Sequence, residues 1–68
     1  MTNTEALQRS IETAGVSIAF LARQMGISRE AFYKKLKNET EFKASEIVTV
    51  AAVLHLTNEE RDHIFFAN

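Results

Sequence analysis

Between Ser17 and Asn38 the chain spells out two short helices and the tight turn that joins them. Ser17 is a helix-starting residue, because its hydroxyl can accept from a first-turn amide that has no helical partner. From there to Met25, the side chains of Leu21, Ala22 and Met25 share one face at helical spacing. Gly26 then stands where a chain leaving a helix commonly needs a positive φ. Ile27 follows, then a second cap at Ser28, and a second helix is expected from Arg29 to about Asn38 with Phe32 and Leu36 facing the core. Ala22 is small enough for the two helices to cross closely, and Met25 and Ile27 bury on either side of the turn.

The rest of the chain extends the same pattern. A first helix is expected from Thr4 to Ala14, with Leu7, Ile11 and Ala14 inward, Asn3 or Thr4 as its cap and Gly15 as its stop. A polar loop from Glu39 to Lys43 turns Phe42 inward. A fourth helix spans roughly Ser45 to Leu54 with Ile47, Val50, Ala51 and Leu54 on one face. Val48, Ala52 and Val53 make it apolar almost all round, which predicts burial on more than one side. Thr57-Asn58-Glu59-Glu60 is a capping box that opens a fifth helix running to about Phe66. With no proline and two glycines, helix is favoured over turn-rich sheet. The expectation is an all-α, five-helix single domain over residues 1–68.

Composition removes several classes. Sixty-eight residues make one small domain with a modest core. There is no cysteine, so neither a disulfide nor a thiolate metal site is available. No segment is long and apolar enough to span a bilayer, and the first ten residues lack the apolar core of a signal peptide. A cytoplasmic protein without membrane association is expected. It begins with methionine and shows no tag, so the chain is read as complete.

Net charge is −1, but the charge is unevenly distributed. From Arg23 to Lys43 six bases (Arg23, Arg29, Lys34, Lys35, Lys37, Lys43) face three acids (Glu30, Glu39, Glu41), a surplus of three. Residues 44–68 carry four acids against Arg61. A basic run alone is most often a solvated face, so its meaning depends on the helices that carry it.

Phe20-Leu21-Ala22-Arg23-Gln24-Met25-Gly26-Ile27-Ser28 resembles the helix-turn-helix of the Cro and CI repressor superfamily. Glu41-Phe42-Lys43-Ala44-Ser45-Glu46-Ile47 and Glu59-Glu60-Arg61-Asp62-His63-Ile64-Phe65-Phe66 resemble small Cro-like phage proteins of Gram-positive hosts, so the likeness covers nearly the whole chain. Lys35 departs from it, standing where many relatives carry an apolar residue. Its side chain is expected to snorkel outward.

The resemblance implies that the third helix enters the DNA major groove. At about 100° per residue, Arg29, Glu30, Tyr33, Lys34 and Lys37 fall within an arc of about 140°, away from Phe32 and Leu36. Arg29 suits the two acceptors of guanine, and Glu30 suits the cytosine amine while repelling phosphate. Ser28, Tyr33 and Lys34 complete the expected base-contacting set. Ser17, Ile18, Lys37, Asn38, Thr40 and Lys43 are expected at phosphates, which position without specifying. The bland alternative is a solvated face, with Glu30 and Lys34 as a helical ion pair giving about 0.2–0.5 kcal/mol.

His55, His63 and Asp62 invite a metal reading, but the histidines are separated by a helix break, and His55 is expected to end the fourth helix. No activated nucleophile and no Gly-rich phosphate loop is present, so no catalysis, cofactor, metal or small-molecule ligand is expected. One of Phe65 and Phe66 is expected in the core. With Val48 and Ala52, these rings either close the core or form a two-fold dimer interface matching a pseudo-palindromic operator. The function expected is a Cro-like transcriptional repressor, a homodimer at least on DNA, controlled by its own concentration and by competition for double-stranded operator DNA. The alternatives are a protein-interaction module (an antitoxin, or a phage protein binding a host factor) and a recombination accessory protein such as an excisionase. The absence of a wing-like hairpin disfavours the excisionase.

Overall fold

The computed structural model describes residues 1–66. Its five helices are α1 (Thr4–Ala14), α2 (Ile18–Met25), α3 (Arg29–Leu36), α4 (Ala44–Val53) and α5 (Asn58–Phe65). Four of the starts are fixed by side-chain oxygens. Asn3 Oδ1 accepts from Ala6 N, Ser17 Oγ from Phe20 N, Ser28 Oγ from Ala31 N and Thr57 Oγ1 from Glu60 N, each at 3.0–3.1 Å. Glu60 returns a bond to Thr57 N at 2.7 Å, which completes the capping box. The start of α4 differs. Lys43 precedes it and has no acceptor to offer, so only the reciprocal half is present, Glu46 Oε1 accepting from Lys43 N at 2.8 Å.

Four helices end in a left-handed residue, and only two of these are glycine. After α2, Gly26 takes φ 74 and Ile27 N donates back to Ala22 O at 3.0 Å, closing the helix and aiming the chain at Ser28. Asn38 at φ 60 ends α3 in the same way, Glu39 N donating to Lys34 O at 2.9 Å. His55 at φ 54 does so after α4, with Leu56 N donating to Ala51 O at 2.9 Å. A Cβ added at Gly26 meets nothing within 4 Å, so the cost of a side chain there is purely conformational. Gly26→Ala should therefore lose about 1 kcal/mol, whereas His55→Gly should gain about 0.5–1 kcal/mol. Urea titration of both variants tests the pair, and opposite signs are the expected result.

α2 packs on α3 and α4, and α5 packs on α1 and α4. Leu7, Leu21, Phe32, Val50 and Ile64 are the largest fully buried side chains, one from each helix. Phe42 reaches back from the loop after α3, edge-on to Phe32 at 6.0 Å and to Phe65 at 5.2 Å. The two ends of the described chain are tied together, Asn3 N donating to Ile64 O at 2.7 Å.

The structure amends several expectations. α3 stops at Leu36 rather than near Asn38, because the left-handed turn must begin early enough to return Phe42 to the core. α4 begins at Ala44 rather than Ser45, and α5 ends at Phe65 rather than Phe66. Ala14 is exposed at the end of α1, and Ala6 is buried in its stead. Among the described residues α4 is not covered on two sides: Val48 is 68% exposed, and Ala52 is exposed too. Phe65 lies in the core at 5% exposure, which removes it from the apolar face expected of Val48, Ala52 and Phe66.

Lys35 is the largest departure. Rather than snorkelling outward, it is buried at 7% exposure. Its ammonium donates to Glu41 O at 2.9 Å, lies 3.1 Å from Glu46 Oε1, and sits 5.7 Å from the centre of the Phe42 ring. The burial is possible because α4 brings a carboxylate to the same spot, itself 7% exposed.

Candidate nucleic-acid interface

α3 divides its side chains by charge and burial at once. Phe32, Lys35 and Leu36 are buried, and Arg29, Glu30, Tyr33, Lys34 and Lys37 are exposed on the opposite side, Tyr33 by 47%. The division follows from the geometry of an eight-residue helix anchored by two apolar side chains a turn apart. Ser28, exposed at its start, uses one lone pair on Ala31 N and keeps its hydroxyl proton available for an outside acceptor.

Among the described residues, the ion pairs within 4 Å are Lys35–Glu46 and Arg61–Asp62. Glu30 and Lys34 do not form the helical pair that their spacing allows. The charged groups of Arg29, Glu30, Lys34, Lys37 and Lys43 thus have no charged partner among these residues, and their side chains lie in solvent.

The groups expected at phosphates flank this face. Ser17 is exposed, and its hydroxyl caps Phe20 N, which leaves the amides of Ile18 and Ala19 without a helical acceptor. Ile18 is half-buried, so its main chain rather than its side chain is what it can offer. Lys37, Thr40 and Lys43 are exposed around the loop after α3. Asn38 is turned the other way. It is half-buried, and its amide makes a long 3.4 Å contact to Thr2 O.

Two features lie elsewhere. Val48, Ala52 and Phe66 are exposed on α4 and just after α5, Phe66 by 57%. His55 and His63 border a groove between α1 and α5 together with Arg9, Glu59 and Glu60. Among the described residues, no group of three or more His, Asp or Glu side chains is arranged to hold a metal ion, and no helix is long and apolar enough to cross a membrane.

Sequence reasoning missed the Lys35–Glu46 unit at the edge of this interface. The available signal was angular, since the helical spacing that turns Phe32 and Leu36 inward turns Lys35 inward with them.

A short helix, a left-handed glycine, a capped second helix and a charged outward face on that second helix define a nucleic-acid-binding helix-turn-helix protein. Residues 6–60 match the Cro/C1-type HTH DNA-binding domain, and the chain belongs to this family. The match takes in the turn and both helices around it, and extends through α4 into α5. No curated protein and no solved structure matches the chain. The family is one of DNA-binding domains and not of enzymes.

Proposed function

We propose that this protein is a sequence-specific transcriptional repressor of the Cro type, which binds a pseudo-palindromic operator as a homodimer and excludes RNA polymerase from the promoter. The observation that carries the reading is the divided α3, with its bases and one acid together on the exposed side. Arg29 donates to guanine O6 and N7, and Glu30 accepts from cytosine N4, so the half-site contains G·C pairs. Ser28, Tyr33 and Lys34 contact neighbouring base edges or phosphates. The amides at Ser17 and Ile18, with Lys37, Thr40 and Lys43, hold the backbone; Asn38 contributes through its main chain. Val48, Ala52 and Phe66 form the apolar face through which two copies meet, and the two-fold places the half-sites about one helical turn apart. A phage origin rests on the likeness of the C-terminal half.

The test is fluorescence anisotropy with duplex DNA from upstream of the protein's own gene, against a scrambled duplex, over a range of salt. Tight binding to the first alone, with log K falling linearly in log salt, is the expected result. Arg29→Ala should weaken specific binding by about 1–3 kcal/mol, roughly 5- to 150-fold, and relax preference at one guanine. Binding to neither duplex at low salt would sink the DNA reading and direct attention to a protein partner at Val48 and Phe66.

A further inference from the structure

Lys35 and Glu46 are the two buried charges of the described chain, and neither lies on the outward face of α3. A buried ion pair is on average no more stabilising than an apolar pair of similar size, so stability alone does not account for it. What it provides that an apolar pair cannot is direction. Lys35 Nζ donates to the carbonyl of Glu41 at 2.9 Å, and Glu46 Oε1 accepts from the amide of Lys43 at 2.8 Å. These two main-chain groups flank Phe42, whose ring is fixed by Phe32 and Phe65. The pair, bridged at 3.1 Å, thereby clamps the backbone on both sides of one anchored residue.

The clamped segment matters because of its sequence. Glu39, Thr40, Glu41 and Lys43 are all exposed, with Glu41 two residues before Lys43 and Glu39 four. A slip of this loop by two residues puts Glu41 where Lys43 stands and exchanges a lysine for a glutamate at the same place. Against a phosphate, that exchange turns attraction into repulsion. A loop held only by apolar packing has no directional bond to prevent it.

We infer that the Lys35–Glu46 pair is a positioning unit for DNA binding, one that sets the register of the loop after α3 so that Thr40 and Lys43 meet the DNA backbone. The inference rests on the repressor reading above. Neither residue touches DNA, and each acts through the main chain it holds.

The decisive variant is Lys35→Met with Glu46→Leu. It removes one charge of each sign, leaves the net charge unchanged and releases both backbone groups. Anisotropy is measured on the same upstream duplex, at a temperature where circular dichroism shows the variant folded. The expected result is a salt slope shallower by about 0.9 for each phosphate that the protein ceases to neutralise, with binding about fivefold weaker per phosphate near physiological salt. A change in folded fraction alone would lower apparent affinity without altering the slope. Glu46→Gln keeps an acceptor for both Lys43 N and Lys35 Nζ, and should keep the wild-type slope. An unchanged slope and affinity in the Met/Leu variant would overturn the proposal. So would a shallower slope in Glu46→Gln. If the Met/Leu variant does not fold, Lys43→Ala carries the test: a slope shallower by about 0.9 is expected, and an unchanged slope means that the clamped loop neutralises no phosphate and overturns the proposal. Failure of the wild type to prefer its own upstream DNA would instead bring down the repressor reading, and the positioning role with it.

Discussion

Phe32→Ala should leave the chain largely unfolded at room temperature. Phe32 is fully buried, and its ring is one end of the edge-on series that runs through Phe42 to Phe65. Deleting such a ring costs about 3–5 kcal/mol, the transfer term plus the cavity left behind. A single core in a chain below about 70–80 residues rarely supplies more than about 3–5 kcal/mol in total. The two quantities are of the same size, so the loss has nothing to be absorbed by. Far-UV circular dichroism should show most of the helical signal gone at 25 °C. A cooperative melt within a few degrees of wild type would contradict this, because a loss of about 3 kcal/mol shifts the midpoint by roughly 12 °C or more. It would mean that Phe42 and Phe65 repack into the space.

The second large effect concerns Lys35, and it reverses on a second substitution. Lys35→Met should cost about 3–5 kcal/mol, because it strands the Glu46 carboxylate at the edge of the core with only Lys43 N to bond. Adding Glu46→Leu removes the stranded charge. The double variant should then return to within about 1–2 kcal/mol of wild type, the shortfall including the missing half of the α4 capping box. Urea unfolding of the two single variants and the double gives the coupling directly. If Lys35→Met alone cost less than about 1 kcal/mol, water would have to reach Glu46 in solution. The thermodynamic cycle and the DNA-binding slope answer different questions on the same proteins, one about stability and one about placement.

Much of this architecture is legible in the residues, wherever a local chemical signal marks it. Asn3, Ser17, Ser28 and Thr57 each announce a helix start because their side chains carry the needed acceptor, and all four serve as caps. Gly15 and Gly26 announce stops because they adopt a positive φ without penalty. The ends of α3 and α4 carry no glycine: Asn38 and His55 close them in the same left-handed region, and His55 is legible there only as a basic residue at a helix end. The start of α4 is obscured because Lys43 has no acceptor and the signal sits three residues on, in Glu46. Lys35 shows the deeper limit. Helical spacing places it about 60° from Phe32 on the inward side, but a lysine there is stable only if another element delivers a partner. That partner comes from a different helix, which no local pattern reveals. The outward face of α3 needed no such knowledge, since two apolar anchors suffice to define its opposite side. Phe65 and Phe66 fall between these cases. Spacing separates them, but which ring goes inward depends on where Phe42 lies.

The bond from the amide of Asn3 to the carbonyl of Ile64, with the packing of α1 on α5, has a consequence for synthesis. Helix α1 leaves the ribosome before α5 and must wait for it. Until Ile64 has been added and has cleared the exit tunnel, Leu7 and Ile11 lack one of the walls that bury them. At elongation rates of about 5–20 residues per second, the α1 segment, too short to hold a helix firmly by itself, spends several seconds without its partner. Folding is therefore completed only as α5 emerges, and a ribosome stalled before that point releases no partly working protein. A truncated message yields an opened bundle for the cell's proteases, and DNA is bound only by chains read through to α5.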